Sequence, residues 1–157
     1  MKADAEEDVK AIEHRAVHLL GRREHSAAEL KRKLRQKGFA AEPIDEVLEL
    51  LAERGWQSDQ RFTESYIRQR IENGYGPLKI RFDLQQKGIA SSMIEELLAA
   101  QETDWVELAR QRYVRRFGET PAADEKERAR RLRHLYQRGF LPDQVRTAYH
   151  RIEQQEG

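Results

Sequence analysis

One short design occurs three times in this chain at a nearly constant interval. Residues 26–39 read SAAELKRKLRQKGF, residues 76–89 read GPLKIRFDLQQKGI, and residues 128–140 read RARRLRHLYQRGF. Each is a basic segment of helical length closed by a glycine. The closing glycines are Gly38, Gly88 and Gly139, spaced 88 − 38 = 50 and 139 − 88 = 51 residues apart. Such a period marks one supersecondary unit copied along a chain. Leu34, Leu84 and Leu135 each stand four residues before their glycine. Ile44, Ile94 and Val145 stand six after it, and Val47, Leu97 and Ala148 nine after. The copied unit therefore includes a second helix beyond the glycine.

A further helix precedes each basic one. Val9, Ile12, Ala16, Leu19 and Leu20 fall at helical spacing after a polar, acidic start. Ser26 stands three residues before Glu29, the capping-box spacing that satisfies orphan amides at a helix start. Pro43 is expected to open the next helix and Gly55 to stop it. In the second copy Ser58 or Asp59 caps a helix bearing Phe62, Tyr66 and Ile67. The ENGYGP turn (residues 72–77) then leads into a helix with Leu78, Phe82 and Leu84 as its apolar positions. In the third, Asp104 and Glu107 have capping-box spacing, and GETPAADEKE is a longer connection, expected to be looser.

No stretch shows the alternation of a strand. The expected fold is all-α: a tail over residues 1–10, then three tandem three-helix repeats over 11–55, 56–101 and 102–157. With 38% hydrophobic and 36% charged residues, no repeat buries much core alone, so an elongated array of mutually supporting units is expected.

There are no cysteines, which excludes disulfides and thiolate metal sites. No apolar run reaches the roughly 18 residues of a membrane span, and the N-terminus is too acidic for a secretory signal. A soluble, cytoplasmic protein is the expectation.

The formal net charge of +1 conceals strong local separation. Lys31, Arg32, Lys33, Arg35 and Lys37 oppose only Glu29, whereas residues 42–53 are acidic without a base. Arg128, Arg130, Arg131, Arg133 and Arg138 lie in a stretch without an acid. The middle helix of each repeat is thus a cationic ridge, suited to phosphates or an acidic protein groove, although such a face is more often merely solvated.

Catalytic signatures are missing. His14 and His18 have metal-ligand spacing on a helix, but no third ligand is evident and the glutamate of a metalloprotease helix is absent. No cofactor or metal is expected. Trp56, Phe62, Tyr66, Trp105, Tyr113, Phe117 and Tyr149 fall mainly on core stripes. Tyr75 stands between Gly74 and Gly76, where burial is hard. It either stacks on a base or fills a partner's pocket, or else packs as a plug under the next helix, the commoner fate.

RREHSAAELKRKLRQKGF (residues 22–39) and DQRFTESYIRQRIENGYGPLKIRFDLQQKGI (residues 59–89) resemble the signature segments of the bacterial RecX family. RRLRHLYQRGFLPDQV (residues 130–145) is similar to that family's C-terminal segment. The resemblance implies a cytosolic regulator of the RecA recombinase, built from three three-helix repeats in a curved array; the missing catalytic signatures lead us to expect no enzyme, and a monomer is expected. The resemblance implies binding to RecA and to its filament on single-stranded DNA, in the filament's groove. It also implies inhibition of strand exchange, ATP hydrolysis and the SOS co-protease role, with direct DNA contact also attributed to the family.

Candidate contact residues on the middle helices are Arg32, Lys33, Arg35, Lys79, Arg81, Lys87, Arg130, Arg131 and Arg133. Arg68, Arg70, Arg112, Arg115, Arg116 and Tyr75 form a second group. The alternatives are a DNA-binding repeat protein acting without RecA, and an enzyme with a metal at His14 and His18.

Overall fold

The computed structural model describes residues 2–155. Among the described residues are nine helices and no strand. They are α1 (Lys2–Arg22), α2 (Ala27–Gln36), α3 (Ala41–Glu53), α4 (Asp59–Glu72), α5 (Pro77–Gln86), α6 (Ser91–Ala100), α7 (Trp105–Phe117), α8 (Glu125–Gln137) and α9 (Pro142–Gln155). The basic helices α2, α5 and α8 are the middle members of the three copies. Gly38, Gly88 and Gly139 follow them with φ of +97°, +80° and +98°, the left-handed turn that glycine adopts without a Cβ penalty.

By packing, the chain divides into two compact units. One comprises Met1–Ser65 and Leu84–Met93, the other Tyr66–Asp83 and Ile94–Gly157. In the first, Ile12 and Ala16 of α1, Leu30 and Leu34 of α2, and Ile44, Val47, Leu48 and Leu51 of α3 form one core. In the second, Ala109 and Tyr113 of α7, Leu132 and Leu135 of α8, and Val145, Ala148, Tyr149 and Ile152 of α9 form another. All nine positions that define the repeat are buried. Burying an aliphatic side chain of this size stabilises by about 1.5–3 kcal/mol, which is why the offsets recur.

The caps explain several boundaries. Ser26 Oγ accepts from the Glu29 amide at 3.1 Å, and the Ser26 amide donates to Glu29 Oε1 at 3.2 Å, completing the capping box. Ser58 Oγ accepts from the Arg61 amide, so Ser58 caps α4. Asp104 caps α7 through the Glu107 amide.

Other boundaries differ from expectation. The expected tail is helical from Lys2, and Met1 lies outside the described residues. Alanines and early acidic residues favour helix and complement the N-terminal dipole. Pro43 is the third residue of α3, not its first, because proline costs nothing where the amide has no intrahelical partner. The long connection is shortened because α8 takes residues 125–127, with Asp124 accepting from the Glu127 amide at 2.8 Å.

That connection is also tethered. Thr120 O accepts from Tyr113 and Arg131, and the Ala122 amide donates to Tyr149 Oη. Trp56 is 53% exposed and not in the core, because its amide closes the turn after α3 on Leu51 O. On α5, Ile80 and Leu84 face inward, so Leu78 and Phe82, two residues out of phase, face solvent.

Candidate functional site

Within each unit, a basic helix meets the glycine turn of the following copy through the same joint. In the first unit, Ser26 Oγ donates to Lys87 O at 2.8 Å, and a methyl added at Gly88 would fall 2.5 Å from Ala28 Cβ. In the second, the Gly76 amide donates to Arg138 O at 2.7 Å and the Leu78 amide to Gly139 O at 2.9 Å. A methyl at Gly139 would fall 2.5 Å from the Lys79 backbone nitrogen, and one at Gly76 2.4 Å from the Gly139 carbonyl carbon. Ser26 and Gly76 hold equivalent positions, 38 − 26 = 88 − 76 = 12 residues before their own glycine. Lys87 and Arg138 each immediately precede the next glycine. The glycines thus do two jobs, ending a helix and admitting the neighbouring backbone.

The two joints carry opposite electrostatics. In the first unit Glu29 is 2% exposed, 2.9 Å from Arg23 Nη2 and 3.4 Å from Lys87 Nζ. Burial alone would raise its carboxyl, but the Arg23 guanidinium and the Ser26 amide outweigh burial and hold it at about 2. His25 Nδ1 lies 3.0 Å from Arg23 O and its Nε2 lies 3.1 Å from Lys33 Nζ. A carbonyl only accepts, so Nδ1 carries the hydrogen and Nε2 accepts from the ammonium. Burial, reinforced by Arg23 and Lys33, holds His25 below its ordinary value.

In the second unit, the position of Glu29 is taken by Lys79 and that of His25 by Tyr75, each 50 residues on. Asp83 pairs with Lys79, and among the described residues no carboxylate pairs with Arg138. Its guanidinium lies 3.7 Å from the Tyr75 ring centroid and donates to Asn73 O and Gly74 O. Arg70 approaches the same ring at 5.3 Å, and its Nε is buried without a hydrogen-bond partner. Arg112 Nε donates to His134 Nε2 at 3.2 Å. Desolvation, then the charges of Arg138, Arg115 and Arg116, lower the Arg112 pKa. Burial, then Arg112, Arg116 and Arg138, hold His134 below its ordinary value. Tyr75 is therefore half-buried in a cationic cage, partway between the two fates that its turn suggested.

The candidate residues separate accordingly. On the ridges, Lys79 pairs with Asp83, Arg81 with Glu95, Lys87 with Glu29, and both Arg130 and Arg131 with Glu127. Lys33 faces His25, leaving Arg32, Arg35 and Arg133 exposed without an ion pair among the described residues. In the second group, Arg68, Arg70, Arg112, Arg115 and Arg116 form no ion pair among the described residues, and all but Arg68 belong to the second unit's cationic region or its rim. Arg138 was absent from the sequence-based set. Its signal is its place before a closing glycine, shared with Lys87.

His14 and His18 are exposed on α1, and no group of three potential metal ligands occurs among the described residues. No helix there is long and apolar enough to cross a membrane.

Family models for the first, second and third three-helix domains of RecX match residues 14–51, 58–98 and 102–149. The chain belongs to the RecX family. A relative from Halorhodospira halophila, named Regulatory protein RecX, is 42% identical over 139 residues, covering 88% of this chain and 86% of its own. A Pseudomonas putida protein of the same name is 44% identical over 135 residues, covering 86% of each chain. One from Vibrio vulnificus is 37% identical over 133 residues, covering 85% and 87%. The fold is that of the crystal structure of RecX from Lactobacillus salivarius, with a TM-score of 0.76 at 22% identity over 93% of this chain and 97% of that one. Its relatives are named as regulatory proteins, and RecA modulation is consistent with membership of this family.

Proposed function

We propose that this protein binds the RecA recombinase filament on single-stranded DNA, in its groove, and restrains ATP hydrolysis, strand exchange and the SOS co-protease role. The observation that carries this reading is the match of all three RecX domains in order along one chain. Copied units let one protein touch several filament subunits, so avidity arises without a single tight site. The mechanism is occupancy: the protein bridges neighbouring protomers and opposes the rearrangement that turnover requires. It acts as a cytoplasmic monomer without a cofactor.

The pattern of internal ion pairs sharpens the contact assignment. Arg32, Arg35 and Arg133 on the ridges, with Arg68, Arg112, Arg115 and Arg116, keep their charge available to a partner. Lys79, Arg81, Lys87, Arg130 and Arg131 must first give up an internal carboxylate.

The test is RecA's single-stranded-DNA-dependent ATP hydrolysis, titrated with this protein at two salt concentrations, with RecA from the same source. Inhibition well below one protein per RecA protomer supports filament binding. No inhibition at any ratio refutes it. A second reading, DNA binding without RecA, is favoured by the unpaired arginines. It predicts inhibition only at DNA-saturating ratios, lost steeply with salt because binding releases counterions and added salt opposes that release.

A further inference from the structure

We propose that Arg112 and Arg115, with Arg138 beside them at the Gly74–Tyr75 turn of the second unit, form an oxyanion site for a phosphoryl group. The site goes beyond the recombinase reading, because its evidence is the local geometry alone.

Three observations converge on it. First, like charges are held together without an answering carboxylate. Arg112 feels Arg138, Arg115 and Arg116, and none of the four pairs with an acid among the described residues. Such an arrangement is costly in the absence of an anion and becomes favourable when one binds.

Second, the guanidiniums are positioned rather than loose. Arg138 is clamped by Asn73 O, Gly74 O and the Tyr75 ring, and Arg112 is oriented by His134. Arg112 spends only Nε on His134, so its two Nη groups remain as a fork for a bidentate oxyanion.

Third, there is an opening. Asn73, Gly74, Gln111, Arg112 and Arg115 line a small depression of about 80 Å³. Gly74 permits it, since a methyl there would lie 3.2 Å from Arg112 Cδ and 3.6 Å from Arg138 Nη2. Glu72 also borders the depression, but it is exposed and forms no ion pair with these arginines among the described residues.

The ligand class follows from the donors. Several forked guanidiniums beside an aromatic face suit the tetrahedral oxygens of phosphate better than a single carboxylate. The phosphoryl group comes either from free phosphate compounds or from a nucleic-acid backbone.

The test is thermal unfolding of the full chain in sodium pyrophosphate, in a short single-stranded oligonucleotide, and in sodium chloride at matched ionic strength. The wild type should show a saturable rise in Tm with at least one phosphoryl ligand, beyond the chloride effect. In R112Q/R115Q that rise should disappear, whereas K10Q/R15Q, which removes equal charge from α1, should retain it. The site double variant should melt in chloride no lower than the wild type, since it relieves like-charge repulsion. R115Q alone, at an exposed position, supplies the same comparison should the double variant be destabilised.

Response to pyrophosphate assigns the site to free phosphoryl groups, and response to the oligonucleotide alone assigns it to backbone phosphate. Equal responses in wild type and site variants, or none to either ligand, overturn the proposal. RecA inhibition is read separately, so loss of this site with inhibition intact leaves the recombinase reading standing.

Discussion

The two joints each seat a glycine turn against the start of the preceding basic helix, but with opposite electrostatics. Around Ser26 and Lys87, a buried carboxylate gathers Arg23 and Lys87, and the cations there serve the fold. Around Gly76 and Arg138, lysine replaces that carboxylate in the repeat register, and the arginines stack on Tyr75 or remain unpaired. The lesson is that cationic density in sequence does not measure available charge. The ridge from Lys31 to Lys37 looks the richest, yet Lys31 pairs with Asp45 and Lys33 faces His25. The cluster around Tyr75 is assembled from helices α4 and α7 and the residue that follows α8, and is invisible as a run.

The largest effects should come from breaking the joints. G139A and G88A each push a methyl into a contact of about 2.5 Å at positive φ, and should cost on the order of 3 kcal/mol in denaturant unfolding. G38A has the same φ class but open space, and should cost only about 1 kcal/mol. Equal losses for all three would show that the joints carry no stability of their own.

Next in size is the counter-charge. E29Q leaves Arg23 and Lys87 without their acid and should destabilise by about 2–3 kcal/mol at neutral pH. Partial solvation of both cations keeps the loss near the lower end for a broken buried pair. Because the Glu29 pKa is depressed to about 2, its contribution is present above the unfolded value near 4.5. It should fade as pH falls towards 2, where wild type and E29Q converge. In the other joint, R138A removes the Tyr75 stack and two carbonyl bonds and should cost about 2 kcal/mol. A loss from R138A as pH-dependent as that from E29Q would contradict the absence of an acid there.

A smaller effect distinguishes the joints by their histidines. His25 and His134 both have lowered folded pKa values, so the unfolded chain binds more protons below about 6.5. Stability should therefore fall as pH drops from 7.5 to 5.5. H134Q should flatten part of that slope in thermal melts. Anion binding at the arginines should flatten it in the wild type, whereas His25, walled by Lys33 and Arg23, should not respond. Smallest of all, R81Q breaks a surface pair with Glu95 and should change stability by less than about 0.5 kcal/mol.

Much of the fold was legible because it is written in local chemistry. Periodic leucines, the Ser26–Glu29 box and the closing glycines each act within a few residues, and the offsets predicted the buried positions throughout. Trp56, Leu78 and Phe82 were less legible, because apolar character reports what can be buried, not which face finds a neighbour. The candidate site was legible only in part. Arg112, Arg115 and Arg70 were singled out as cations, but their equivalence to Lys79 or Arg130 in sequence hid the difference that carboxylates make.

The sequence alone determined the helices, the three copies and family membership, since propensity, capping and periodicity operate over one or two turns. Tertiary structure alone decided which charges are spent. Arg138 reaches Gly74 across 64 residues and Glu29 reaches Lys87 across 58. Electrostatic pairing depends on distance in space and on burial, and neither is encoded in the order of residues along one helix.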